Sequence, residues 1–222
     1  MEPTQLLEMA GSALVLLGLG LAVYGRFSRA GRACHAARRA PRTTIARAPT
    51  GTTVTLVGRI RLLRSTLVAP LTGRRCGYYV IAPFAAYGGH DHTATASPPV
   101  AREEDGCEFI LDDGTGLATV RVDDVALMDD PGCLQPGSDA QQRAMLERRG
   151  LSASSNDWTL HEWTLGEGDL VAVSGVVQDR AGTVTSVDAA TGYRARPREV
   201  VIGPSGGLPL VLRHHDDDGA ST

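Results

Sequence analysis

Residues 160–187 read LHEWTLGEGDLVAVSGVVQDRAGTVTSV, and within them 170–177 is almost continuously apolar. An apolar run of that length with β-branched residues at every second or third position suits a central strand covered on both faces. Arg180, Ala181 and Gly182 then turn the chain into a partner strand. Working outward, residues 52–63, TTVTLVGRIRLL, alternate: Val54, Leu56, Gly58, Ile60 and Leu62 against Thr53, Thr55, Val57, Arg59 and Arg61, the period-two pattern of a half-buried strand. An aromatic and β-branched run at 78–81 reads as a second strand. In CEFILDDGTGLATVRVDDVAL (107–127), two apolar runs flank Asp112, Asp113, Gly114, Thr115 and Gly116, which reads as a hairpin with Asp-Gly in its turn. Short runs at 199–202 and 208–212, joined by GPSGG, add two strands. Asp139 is expected to cap a short helix over 139–149, with Gly150 as its stop. With 26 Gly and 12 Pro to turn between short strands, the fold class expected is mainly β: an OB-like small Greek-key barrel with one short inserted helix.

Ahead of this domain, residues 6–25, LLEMAGSALVLLGLGLAVYG, match a hydrocarbon core of roughly 30 Å at ~1.5 Å per helical residue. They predict a single N-terminal transmembrane helix. Acidic Glu2 and Glu8 precede it, whereas Arg26, Arg29, Arg32, Arg38, Arg39, Arg42 and Arg47 follow it. Positive flanks stay inside, so the N-terminus is expected outside and the domain in the cytoplasm. Acids before and arginines after is the wrong charge order for a cleaved signal peptide. Arg26, Arg29, Arg32, Arg38 and Arg39 are expected to face anionic lipid. The organisation read from the chain is a tail and span over 1–27, a basic Ala/Arg/Pro linker over 28–51, a β domain over 52–213 with a mobile loop at 88–106, and a disordered tail over 214–222.

Charge is divided unevenly. Residues 1–100 carry 12 Arg against three acids, and residues 101–222 carry 10 Arg against 22 acids, which suits a domain facing an anionic bilayer with one side. No Lys is present, excluding Schiff-base and phosphate-loop lysine chemistry within this sequence. Cys34, Cys76, Cys107 and Cys133 form no C-x-x-C pair, which argues against zinc knuckles and RING fingers and for free thiols.

Three segments resemble the GIDE domain, the membrane-associated module of a mitochondrial RING-type E3 ubiquitin ligase family and of many prokaryotic membrane proteins. The first, STLVAPLTGRRCGYY, is similar to its P-L-T-G-x-x-C-x-Y-Y element through Pro70, Leu71, Thr72, Gly73, Cys76, Tyr78 and Tyr79. The second, FILDDGTGLATVRV, resembles F-x-L-x-D-x-T-G-x-x-x-V through Phe109, Leu111, Asp113, Thr115, Gly116 and Val120. The third, EWTLGEGDLVAVSG, resembles E-x-x-L-x-x-G-D-x-x-x-V-x-G through Glu162, Leu165, Gly168, Asp169, Val173 and Gly175. The resemblance implies a membrane-anchored β domain that binds or senses something beside the bilayer. Eukaryotic members also carry a second span and a RING finger; neither is found in this sequence, so ubiquitin transferase activity is not expected from it.

The function expected is therefore a membrane-anchored binding or scaffold module with an unknown protein partner and anionic lipid nearby, and no cofactor. Pro70, Leu71, Thr72 and Gly73 would shape a binding loop, Arg74 and Arg75 would supply its charge, and Tyr78 and Tyr79 would lie beside it. Single-stranded nucleic acid, a common OB-barrel ligand, needs a basic groove with stacking aromatics. Tyr78, Tyr79, Phe84 and Tyr87 cluster, but the distal half of the chain is strongly acidic, which argues against it. His90, Asp91 and His92, and the run 214–218, place metal-ligand side chains side by side, where adjacent residues rarely converge on one ion. No metal site is expected. His161 beside Glu162 is read as a satisfied structural histidine, and Asp112, Asp113, Asp123 and Asp124 as turn residues rather than catalytic carboxylates or a calcium loop.

Overall fold

The computed structural model describes residues 28–85, 101–128, 135–151, 158–179, 198–204 and 206–215. The expected span at 6–25, Arg26, the turn and partner strand after residue 179, and most of the expected tail lie outside the described residues. Among the described residues no helix is long and apolar enough to cross a membrane.

The apolar run at 170–177 becomes the central strand of a closed barrel. The barrel is built from β1 (Thr53–Leu62), β5 (Phe109–Asp112), β6 (Gly116–Val120), β10 (Leu170–Asp179) and β11 (Arg198–Gly203). β10 pairs antiparallel with β1 along one edge, from Arg59↔Leu170 to Thr53↔Val176. β1 then passes to β5, where Arg59 faces Asp112 and Leu62 faces Phe109. The β5–β6 hairpin follows, β6 runs parallel to β11, and β11 returns antiparallel to β10, so the ring closes as β1-β5-β6-β11-β10. β12 (Leu210–His214) takes the other half of the same β10 edge and runs parallel to β7 (Val125–Leu127).

Close backbone approach fixes two glycines. A Cβ on Gly58 would stand 2.6 Å from the Asp112 carbonyl oxygen, where β1 crosses from one partner to the next. One on Gly175 would stand 2.6 Å from the Gly203 carbonyl oxygen, where β11 hands the β10 edge to β12.

A second sheet is inserted into the barrel's connections. β2 (Leu67–Val68), β3 (Arg75–Ala85) and β4 (Glu103–Gly106) lie between β1 and β5, whereas β8 (Gln135–Pro136) and β9 (Trp158–Gly166) lie between β7 and β10. Alternation divides its side chains between two cores. Tyr78, Val80, Trp163 and Leu165 join the barrel core. Tyr79, Ile81 and Leu160 face the other way and pack with Leu71, Cys76 and Met145. Met145 belongs to a helix over Asp139–Arg148, labelled α2 below.

Three expectations require correction. The segment 28–51 is folded rather than a linker: residues Arg29–Arg39 form α1, capped by the Ser28 hydroxyl, which accepts from the Gly31 N–H at 3.0 Å. Ala33 and Ala37, one turn apart, let α1 lie close against Ala126 and Val211. Beyond it a 3-10 turn at Ile45–Arg47 sends Ile45, fully buried, into the barrel core. Second, the expected loop 88–106 contains β4, whose polar residues 103–106 pair through their backbone with Tyr78–Ile81. Third, α2 is capped by Ser138, not Asp139, in a capping box completed by Gln141.

Candidate functional site

The hairpin between β2 and β3 carries Pro70, Leu71, Thr72 and Gly73, and its geometry is set from beneath. Leu71 is buried in the second core, which pulls the loop over the outer face of β9. Glu162, only 3% exposed, rises from β9 and accepts from the Leu71 N–H at 2.8 Å, from the Thr72 N–H at 3.0 Å, and from the Thr72 hydroxyl. Gly73 closes the turn with φ of 71° and donates its N–H to the Ala69 carbonyl at 2.8 Å. At the far side Arg148, in the last turn of α2, donates to the Pro70 carbonyl at 2.5 Å. The loop is a rigid mount, with its polar groups spent internally.

Arg74 and Arg75 leave this mount in different directions. Arg74 donates to Asp169 at 2.9 Å, and the second oxygen of Asp169 accepts from the Gly166 N–H at 2.7 Å. The Arg74 guanidinium lies so close over Gly166 that a Cβ there would meet it at 2.9 Å. Arg75 is exposed and bonds only the Thr66 hydroxyl, at 3.1 Å, with no carboxylate partner among the described residues. The two arginines, Leu62, Leu63 and Glu167 line an open cleft of about 400 Å³. Val68, 61% exposed, and Leu63, 37% exposed, are apolar side chains beside it, and exposed Arg64 adds charge without a carboxylate partner among the described residues.

Tyr78 and Tyr79 are not part of that accessible face. β3 is covered on both sides, so Tyr78 is 3% and Tyr79 7% exposed. The Tyr78 ring meets Trp163 edge-on at 6.1 Å, and its hydroxyl is buried with no hydrogen-bond partner among the described residues. Burial first, and then the nearby charge of Glu104, raises its pKa. The Tyr79 hydroxyl donates to Glu103 at 3.0 Å; burial and then that bond push it up to about 12. Buried Cys76 is pushed up to about 11, chiefly by desolvation and then by the Glu162 charge, so its thiol stays protonated at neutral pH. Of the stacking aromatics weighed for nucleic acid, Phe84 packs on His161 at 4.5 Å, and Tyr87 lies outside the described residues.

The remaining motif residues hold loops. Asp113 accepts from the N–H groups of Thr115 at 2.8 Å, Gly116 at 3.0 Å and Ile45 at 2.7 Å, locking the 3-10 turn onto the β5–β6 hairpin. The Thr115 hydroxyl donates to Asp113 at 2.7 Å and accepts from the Ala46 N–H at 3.2 Å. A Cβ on Gly116 would stand 2.7 Å from Ile45. Leu165 is in the barrel core, and Gly168 turns β9 into β10 with φ of 82°. Among the arginines expected to face lipid, Arg29 bonds Asp124 at 2.8 Å and the Gly207 carbonyl at 3.0 Å, while Arg32, Arg38 and Arg39 are exposed. Among the described residues no group of three His, Cys, Asp or Glu side chains converges on a metal site; His90, Asp91 and His92 lie outside them.

Sequence reasoning missed one cluster. Ser174 stands alone in an otherwise apolar run, and its hydroxyl meets that of Thr55 at 2.7 Å beneath α1, beside Arg38, Arg42 and Arg213. A polar residue inside a strand covered on both faces is the signal that points there.

No family model matches this sequence, and no curated protein and no solved structure matches it either. The geometry defines a mainly β protein with a closed five-strand barrel, whose most accessible chemistry is arginine beside apolar surface.

Proposed function

We propose that the chain is a membrane-anchored binding module, in which segment 6–25 holds a GIDE-like, OB-type barrel beside the inner membrane face and the cleft at Arg75 docks an acidic, partly apolar segment of a partner protein. The carrying observation is the division of labour in the 70–75 loop. Glu162 and Asp169 take up Thr72 and Arg74, whereas Arg75 has no carboxylate partner among the described residues and is exposed, as are Leu63 and Val68. Arginine next to exposed apolar side chains is the composition of interface centres. A strand order with neighbours β1-β5-β6-β11-β10 and one parallel pair supports the OB reading. The GIDE likeness is supported by Glu162, Asp113 and Asp169, which tie loops as residues of a structural motif do. Ubiquitin transfer is not part of the proposal, because no C-x-x-C pair in this sequence supplies a RING.

The test is photo-cross-linking of the full chain in its native membranes, from position 68 and, as a control, from position 47 in the 3-10 turn. A discrete protein adduct from 68 alone, lost in Arg75→Glu and Arg64→Glu, is expected. Adducts common to both positions, or lipid alone at 68, would overturn the docking face. Arg74→Ala is the wrong probe, since it breaks the Asp169 pair and loosens the loop itself.

A further inference from the structure

The in-register pairing of three strands places Thr55, Ser174 and Val211 in a row on the outer face of the barrel, with Arg213 opposite Ala172 one step along. The end of α1 lies over that row. Between them is a recess of about 130 Å³ lined by Ala37, Arg38, Arg42, Thr55, Ser174 and Arg213, among others. Among the described residues no Asp or Glu lines it, and the side chains of the three arginines have no hydrogen-bond or ion-pair partner. The floor is polar as well. Thr55 and Ser174 are 5% and 6% exposed and share one hydrogen bond of 2.7 Å, so whichever hydroxyl donates, the other's proton has no acceptor among the described residues.

We propose that this recess binds a phosphate-class oxyanion. Three arginines line it with no carboxylate beside them among the described residues, and guanidinium donors fit the oxygens of a phosphate bidentately. The spare hydroxyl proton supplies a buried donor from below. The C-terminal carbonyls of α1 oppose this with a fraction of one negative charge, against three full positive ones. A recess of about 130 Å³ has room for a phosphate group. The ligand is therefore either free phosphate or the phosphomonoester headgroup of a lipid, and α1 follows directly on the segment expected to span the membrane. Neither the cleft at Arg75 nor its protein partner enters this inference.

The experiment uses the full chain in neutral detergent. Sodium phosphate is titrated against sodium chloride at matched ionic strength and followed by phosphorus NMR line broadening and thermal midpoint. In parallel the chain is reconstituted into phosphatidylcholine vesicles with and without phosphatidic acid. Wild type should bind one of the two sources saturably with a raised midpoint, and which source binds identifies the ligand. Arg42→Ala and Arg213→Ala should each weaken binding at least about tenfold, the loss of a charged hydrogen bond. Arg143→Ala, an exposed charge on α2 outside the recess, should leave binding unchanged. Absence of saturable binding to both sources by wild type overturns the proposal, whatever the variants do. So does an Arg42→Ala protein of native circular dichroism that binds as wild type does, or an Arg143→Ala protein that loses binding equally.

Discussion

Glu162 is a buried carboxylate whose partners are two backbone N–H groups and one hydroxyl, all from a loop about ninety positions earlier in the chain. That arrangement makes a side chain serve as a strand edge: it supplies acceptors that the 70–73 turn cannot find within itself. Removing it leaves the Leu71 N–H buried and unpaired as well as a cavity under the loop. Glu162→Ala should therefore lower unfolding free energy by about 2–4 kcal/mol, measured by urea denaturation, while Glu162→Gln, which keeps one acceptor oxygen, should cost less. A Glu162→Ala protein within experimental error of wild type would sink this account. Its presence was legible in the sequence only as a motif letter, because its partners are remote in the chain and a glutamate inside a strand reads as solvent-facing. The same distance effect separates Arg74 from Arg75: adjacent in sequence and chemically alike, they differ only because Asp169 reaches one of them.

At the scale of elements, β4 demonstrates what hydropathy does not reveal. EEDG has no apolar face, yet it is a strand, because the exposed edge of β3 offers unpaired backbone groups and the pairing needs no side-chain burial. It is tied down by a three-part contact in which Glu103 accepts from Tyr79 at 3.0 Å and meets Arg149, just past α2, at 2.7 Å. The bond to Arg149 holds the Glu103 carboxyl below the ordinary glutamate range. A lowered folded-state pKa contributes stability above the unfolded value, near ~4.3, and loses it as pH falls through the folded one. The difference in urea midpoint between wild type and Glu103→Gln should thus be constant at neutral pH and shrink below about pH 5. Both partners are about one-third exposed, so the difference should be no more than about 1 kcal/mol after screening. A difference that grows on acidification would refute the assignment. The elements that were legible, β1, the β5–β6 hairpin and β10, announce themselves by period-two alternation, Asp-Gly turn chemistry, or an unbroken apolar run. α1 did not, because its buried stripe is only alanine: a composition of Ala and Arg looks like a linker by hydropathy although both residues are strong helix formers and Ser28 is a good cap.

For the whole molecule, α1 and the 3-10 turn change where the domain begins. Ile45 and Ala48 fill the barrel core, Asp113 and Thr115 accept from the turn's N–H groups, and Arg198 donates to the Ala48 carbonyl at 2.6 Å. The strap is therefore the barrel's plug as well as its link to whatever precedes it, and burying Ile45 alone is worth about 2–3 kcal/mol. Ala33 and Ala37 extend the same seal across β7 and β12. A chain truncated to residues 28–222 should accordingly fold in water with a cooperative unfolding transition, because every contact described between the strap and barrel is retained. A chain truncated to 52–222, the boundary that composition alone indicates, should lose the plug, expose the Asp113 carboxylate, and show a broadened transition or aggregate. Urea denaturation followed by tryptophan fluorescence distinguishes them, since Trp163 lies in the barrel core. Equal stability of the two truncations would mean that the strap merely rests on the barrel. If the longer one failed to fold, the domain would depend on residues 1–27 or on the membrane for its integrity, and an anchor that only tethers would no longer describe it.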